Sequence, residues 1–220
     1  MLVRPLSPYC VPALAERTHA CLGISPFNGY FTTGRIRDLA AWALNRFESM
    51  HLYMPDGPTA TTLAALGYAP ARAAAKARSQ CRYLRNKMVR ALDDLGVPAP
   101  EELILDSAAL ADNTRYQELL NDAHALFDHD SEFRRSCLEA ARWVLHGRIA
   151  PDEMSQERLR TAVPYLLAEL PLFSHTPEIV DVSVSVFCYH RPPEFVEHLV
   201  HRRLAWCPLP KQGFAVVTRP

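Results

Sequence analysis

HACLGISPFNG, residues His19 to Gly29, joins a short apolar run to a string of turn-forming residues. His19 to Ile24 reads as a buried strand, and Gly23-Ile24-Ser25-Pro26-Phe27-Asn28-Gly29 as the tight loop it enters. From about Gly34 to Glu48 the apolar residues Ile36, Leu39, Ala40, Ala43 and Phe47 recur every three or four positions, which gathers them on one face of a helix. That helix returns the chain for a second strand, His51 to Met54. Strand, loop, helix and strand in this order form the unit from which parallel sheets are built.

The alternation continues along the chain. Beyond the Pro55-Asp56-Gly57-Pro58 turn come a short helix and an Ala-rich helix from about Arg72 to Leu95, then a third strand, Glu102 to Asp106. Residues 114 to 147 carry two helical stretches broken near the His129-Asp130-Ser131 cap, and Asp152 to Phe173 is helical with a break expected around Pro164. Val182 to Tyr189 (VSVSVFCY) is the strongest β-branched run, and Phe214 to Thr218 is a last strand. The expectation is an α/β fold: one domain over residues 1–220, with a mostly parallel sheet of about five strands flanked by helices. Ligands of such sheets gather at the carboxyl ends of strands. Ser25 to Asn28, Asp56, and Tyr189 with His190 stand at such ends.

Composition narrows the classes. With 49% hydrophobic and 22% charged residues among 220, the chain can bury one sizeable core. Its 24 Lys and Arg balance 24 Asp and Glu, so a nucleic-acid partner has to be held by a local basic patch and not by the field of the whole molecule. The six cysteines are scattered without a CxxC pair, which fits a reducing, cytoplasmic compartment. The opening MLVRPLSPYCVPALAERTHA lacks the apolar segment of a signal peptide, and no run is long enough to span a bilayer. A soluble protein with no membrane partner is expected.

Three features carry chemistry. Ser25 offers a hydroxyl just past a strand, two residues after a glycine that permits close approach, although GISPF is not the GxSxG elbow of the hydrolase fold and a serine that caps a strand end is the plainer reading. Tyr165 and Glu169 lie four apart in PYLLAELP, so a helix puts both on one face, where the pair can hold an ammonium group; an exposed surface pair is the plainer alternative. The apolar surroundings Leu166, Leu167, Ala168, Leu170 and Leu172 argue that Glu169 is buried and requires a partner. Arg72, Lys76, Arg78, Arg82, Arg85, Lys87 and Arg90 are seven bases with no acid between Arg72 and Leu92. They span roughly 200° of a helix, opposite Ala73, Ala77, Leu84, Met88 and Ala91. A one-signed stripe without partner charges is the footprint of phosphate binding; an ordinary solvated helix face is the plainer alternative.

Together these pieces resemble the cyclodipeptide synthase family. Its first signature, a His, a variable residue, two aliphatic positions, Gly, an aliphatic residue and a nucleophilic Ser, reads here His19-Ala20-Cys21-Leu22-Gly23-Ile24-Ser25, with Cys21 in place of an aliphatic residue. Its second, Tyr, three residues, Glu, one residue and Pro, is matched by Tyr165, Glu169 and Pro171. Asn28, Tyr189 and His190 match the marker positions of the branch that carries Asn, Tyr and His.

The resemblance implies a Rossmann-like fold similar to the catalytic domains of class I tyrosyl- and tryptophanyl-tRNA synthetases. It implies two aminoacyl-tRNAs as substrates, joined into a cyclic dipeptide through an ester on Ser25, with no metal or other cofactor. HIGH-like, KMSKS-like and Walker-type sequences are absent, so the amino acids should arrive already activated. On the same ground Tyr165 and Glu169 grip the α-amino group, and Asn28, Tyr189 and His190 orient Ser25. Gly23 floors the first amino-acid pocket, with Tyr116 as a further pocket candidate. The basic helix holds the tRNA acceptor stem, and the enzyme is expected to be a monomer or weak dimer. A non-catalytic tRNA-binding or editing module, and a serine esterase using His19 or His190, stay open at this point.

Overall fold

The computed structural model describes residues 1–192, 194–201 and 204–219. At its centre the described residues form six strands: β1 (Leu2–Pro5), β2 (His19–Gly23), β3 (Ser49–Tyr53), β4 (Ile104–Leu105), β5 (Ser185–Tyr189) and β6 (Gln212–Thr218). Their order is β1-β6-β5-β2-β3-β4, parallel throughout except for β1 against β6. The expected α/β architecture with a mostly parallel sheet is present, with six strands in place of about five. The addition is β1. LVRP is short and ends in proline, which lacks a ladder donor and belongs on an edge; only pairing with β6 at the far end of the chain makes it a strand.

The helices are α1 (Val11–Glu16), α2 (Thr33–Arg46), α3 (Thr59–Ala65), α4 (Pro70–Asp93), α5 (Ser107–Leu110), α6 (Thr114–His129), α7 (Ser131–Leu145), α8 (Gln156–Ile179) and α9 (Glu194–Val200). Local chemistry sets their starts. Thr32, Asn113, Asp130 and Ser155 each accept a bond from the backbone N–H three residues on, satisfying a donor that the first turn leaves free. Helix α8 does not break at Pro164. The carbonyl that Pro164 leaves without a helical partner is that of Arg160, an exposed residue within reach of water. Helix α8 also packs along α3, α6 and α7, and it kinks only at His175 (φ −137°, ψ 22°).

Both faces of the sheet are covered, and β5 shows why. Val186 and Cys188 point into a core with Ala13 of α1, Ile36 and Leu39 of α2, and Leu84 and Met88 of α4. Phe187, between them, points the other way, toward Cys137 of α7, Phe173 of α8 and Phe195 of α9. A strand buried on both sides alternates between two cores with period two, so its sequence is apolar without a break.

From β2 the chain moves outward to β3 and β4, whereas β5 and β6 lie on its other side. The direction of winding therefore reverses between β2 and β5. At such a switch point the loops leaving the two carboxyl ends part and open a crevice. The loop from Gly23 to Asn28 leaves one end, and Tyr189 with His190 leaves the other.

Candidate active site

The two strand ends meet through side chains. Ser25 Oγ lies 2.7 Å from the Tyr189 hydroxyl. The Asn28 side-chain amide reaches toward the Tyr189 hydroxyl at 3.4 Å and His190 Nε2 at 3.5 Å, while its Oδ1 accepts from the Tyr30 backbone at 3.0 Å. Between Ser25 and Asn28 the chain turns through Phe27 at φ 57°, a left-handed conformation uncommon for a bulky residue. Such strain persists where surrounding packing enforces it, and it concentrates at sites.

Helix α8 supplies the facing wall. Tyr165 and Glu169, one turn apart, line with Ser25, Asn28 and Tyr189 a cavity of about 350 Å³. Both are half-buried and line the cavity wall. Burial pushes the Glu169 carboxyl up to about 8. Among the described residues it has no ion-pair partner. Burial is also the first cause raising the phenols of Tyr165 and Tyr189, and the nearby carboxylate adds to both. Glu169 thus has no cation paired with it, although Arg148 and Arg191 stand elsewhere on the cavity wall, and an entering ammonium group can take that place.

Gly23 forms part of the floor. Any Cβ at this position would stand 2.8 Å from Cζ of Phe187 and 3.2 Å from Cδ2 of Tyr189. Phe187 cannot withdraw, because it is stacked on Phe214 at 5.5 Å and edge-packed against Phe173 at 4.8 Å. Gly23→Ala is therefore expected to lower stability by about 1–3 kcal/mol, the usual cost of overpacking. It should lower activity further by moving the Tyr189 hydroxyl off Ser25. Thermal unfolding and turnover measured on the same preparation check this; unchanged values in both would mean that the floor is soft.

The other sequence candidates are distributed as follows. Tyr116 is 7% exposed, and its hydroxyl donates to the Ala168 carbonyl at 3.1 Å; it does not line the cavity. Tyr53 donates to the same carbonyl at 3.1 Å, so two phenols fix α8 from below. His190 stacks on Tyr30 at 4.3 Å; burial lowers it to about 4, and its Nδ1 is buried without a partner. It is a neutral imidazole braced against the loop. His19 lies 2.8 Å from Ser185 Oγ and 2.9 Å from His51, remote from Ser25, a pairing that spacing alone did not reveal. Asp56 accepts from the backbone and hydroxyl of Ser107, tying the ends of β3 and β4 together.

The basic residues stand on α4, which packs on α2 and α3. Arg72, Lys76, Arg78, Arg82 and Arg90 are exposed. Arg85 departs from the expected partnerless stripe by pairing with Asp106 at 3.1 Å. Lys87 reaches the Phe31 carbonyl at 3.4 Å. Sequence reasoning also missed Trp143, Arg148 and Arg191 at the cavity wall; Arg191 lies over the Trp143 ring at 4.7 Å. Only the α7 amphipathic pattern leaving Trp143 outside its apolar face could have signalled this. Among the described residues no helix is long and apolar enough to cross a membrane.

Known proteins resemble the chain in sequence and fold. The chain is 31% identical to the cyclo(L-leucyl-L-leucyl) synthase of Bacillus subtilis, over 98% of its own length and 88% of the relative's. It is 31% identical to the cyclo(L-tyrosyl-L-tyrosyl) synthase of Mycobacterium tuberculosis, over 99% of its length and 75% of the relative's. The structure of a Mycobacterium tuberculosis protein that relates cyclodipeptide synthetases to type I tRNA synthetases superposes with a TM-score of 0.88 at 30% identity, covering 100% of this chain and 93% of that one. The family model described as cyclodipeptide synthase matches residues 1–219, and the chain belongs to the cyclodipeptide synthase family.

Proposed function

We propose that the protein joins two amino acids, delivered as aminoacyl-tRNAs, into a cyclic dipeptide by way of an ester on Ser25. The observation that carries this reading is a hydroxyl and a carboxylate, with no cation paired to it among the described residues, in one cavity at the switch point. Ser25 Oγ attacks the aminoacyl carbonyl, its proton leaves with the tRNA ribose oxygen, and one ester replaces another. That exchange is nearly balanced and depends on positioning, so it draws on no nucleotide. The Tyr189 hydroxyl, at 2.7 Å, holds Ser25 in line, and Asn28 holds Tyr189. Glu169 and Tyr165 take the α-ammonium of the bound aminoacyl group.

The amine of the second aminoacyl-tRNA then attacks the Ser25 ester, forming an amide, freeing the Ser25 hydroxyl and leaving the dipeptide as an ester on the second tRNA; its return to Ser25 as a dipeptidyl ester releases that tRNA. This requires the second tRNA ester to be attacked in turn by Ser25, after which the free amine closes the ring and releases the hydroxyl. Glu169 is the group in the cavity able to accept the proton each attacking amine loses. The exposed cations of α4 hold tRNA phosphates without reading sequence.

A serine-esterase reading needs a histidine on Ser25. Among the described residues none is bonded to it: His19 is committed to Ser185 and His51, and His190 faces Asn28. The test is mass spectrometry of the purified protein incubated with a mixed pool of aminoacyl-tRNAs. Cyclic dipeptides that vanish when the tRNAs are left uncharged are the expected result. Folded protein yielding none would overturn the proposal.

A further inference from the structure

The cationic face of α4 carries an aromatic ring. Tyr83 is 59% exposed, although a large apolar ring at a helix surface contributes little to folding there. At about 100° per residue it falls within about 40° of Arg72, Lys76, Lys87 and Arg90 on the helix surface, in the middle of that row. Lys87 Nζ lies 4.4 Å from the ring centroid and 3.4 Å from the carbonyl of Phe31, in the loop that leaves Ser25. These contacts tie the ring to the entrance of that loop. The other aromatic of the region, Tyr68, is only partly exposed and lies under two cations, Arg72 and Lys76, at 5.4 and 5.2 Å, whereas Tyr83 is more exposed and has Lys87 alone over its ring.

Cations complement phosphates; a phenol ring complements the face of a base. In a paired RNA stem those faces are covered by neighbouring pairs, so only unpaired nucleotides present one to a protein. The unpaired part of a tRNA that must approach Ser25 is its aminoacylated 3′ strand. We infer that Tyr83 is a stacking platform for an unpaired base of that strand, and that it guides the strand from the cations of α4 to the Ser25 loop. This rests on the reading of aminoacyl-tRNA as the substrate. Tyr83 is a positioning residue, since it touches the carrier and not the reacting atoms.

The test measures equilibrium binding of two RNAs, an acceptor-stem hairpin ending in the unpaired 3′ strand and the same hairpin trimmed flush. Wild type, Tyr83→Ala, Tyr83→Phe and Arg82→Ala are compared. Wild type is expected to prefer the overhang by about 5- to 100-fold, the range for one base stacked on an aromatic ring. Tyr83→Ala should lose most of that preference and keep the salt dependence of wild type. Tyr83→Phe should keep both. Arg82→Ala should keep the preference and reduce the slope of log affinity against log salt by about 0.9, one phosphate contact.

A Tyr83→Ala protein that still prefers the overhang overturns the inference. Equal losses in Tyr83→Ala and Tyr83→Phe also overturn it, because the hydroxyl and not the ring face would then be at work. Wild type that binds neither RNA removes the tRNA reading itself, a different result from wild type that binds both equally, which removes only the role of Tyr83.

Discussion

Ser25→Ala is expected to reduce cyclic dipeptide formation by a factor on the order of 10⁴ or more, as removal of an enzyme's nucleophile does. The substitution deletes one oxygen from a partly exposed loop position and leaves β2, β5 and the cavity wall in place, so melting temperature and RNA binding should stay near wild type. The decisive readout is covalent. Wild type exposed to aminoacyl-tRNA and quenched in acid should show a mass increase of one aminoacyl group on the peptide containing Ser25, and Ser25→Ala should show none. Product formed by Ser25→Ala at more than about a tenth of the wild-type rate would remove the ester intermediate from the mechanism. Tyr189→Phe, which keeps the ring but deletes the hydroxyl 2.7 Å from Ser25, should fall between the two.

Glu169→Gln should lower turnover by about 10²- to 10⁴-fold, the range for a general base, and should change the response to pH. The free enzyme holds the carboxyl at about 8, so wild-type kcat/KM should rise with pH through that region as the carboxylate forms. The bound ammonium stabilises the carboxylate, so the corresponding rise in kcat should lie at lower pH. The amide variant should show neither step. Stability should move the opposite way. The folded state holds this proton up to about 8, whereas the unfolded chain releases it near 4.5. The favourable contribution is therefore complete below 4.5 and is lost as pH rises through 8.

At pH 9 Glu169→Gln should consequently be more stable than wild type, by an amount on the order of 2 kcal/mol. That is less than the whole shift implies, because the carboxyl opens onto a cavity. Melting temperature would rise by about 4–8 °C in a chain of this size, and the two proteins should converge below pH 4.5. A variant that keeps wild-type turnover, or that is less stable than wild type at pH 9, would return Glu169 to an ordinary structural role.

How much of the fold is legible in the sequence follows from where the signals reside. Strand β2, helix α2 and helix α4 announce themselves because apolar period and turn residues are local. Ser25, Tyr165 and Glu169 are candidates from their places past a strand and on one helix face, but it is the family resemblance that joins them, and the one cavity they line is visible only in the fold. Contacts between elements were not. Strand β1 exists through β6, the ion pair of Arg85 through Asp106, and the His19–His51 pair through the register of β2 on β3. Pro164 misled for the same reason: local chemistry favours a break, and packing of α8 on three other helices outweighs it. Tyr116 is open to a pocket or a core place from sequence, and its phenol is used on the Ala168 carbonyl.

The cavity has two kinds of wall. Ser25, Asn28 and Tyr189 stand at or just past the ends of buried parallel strands. Ala140, Trp143 and Val144 of α7 and Phe195 of α9 close the far side from helices outside the sheet. Substitutions in α7 or α9 can therefore reshape the cavity without touching the residues that hang from the sheet, whereas Tyr165 and Glu169 share their helix with the core of α8.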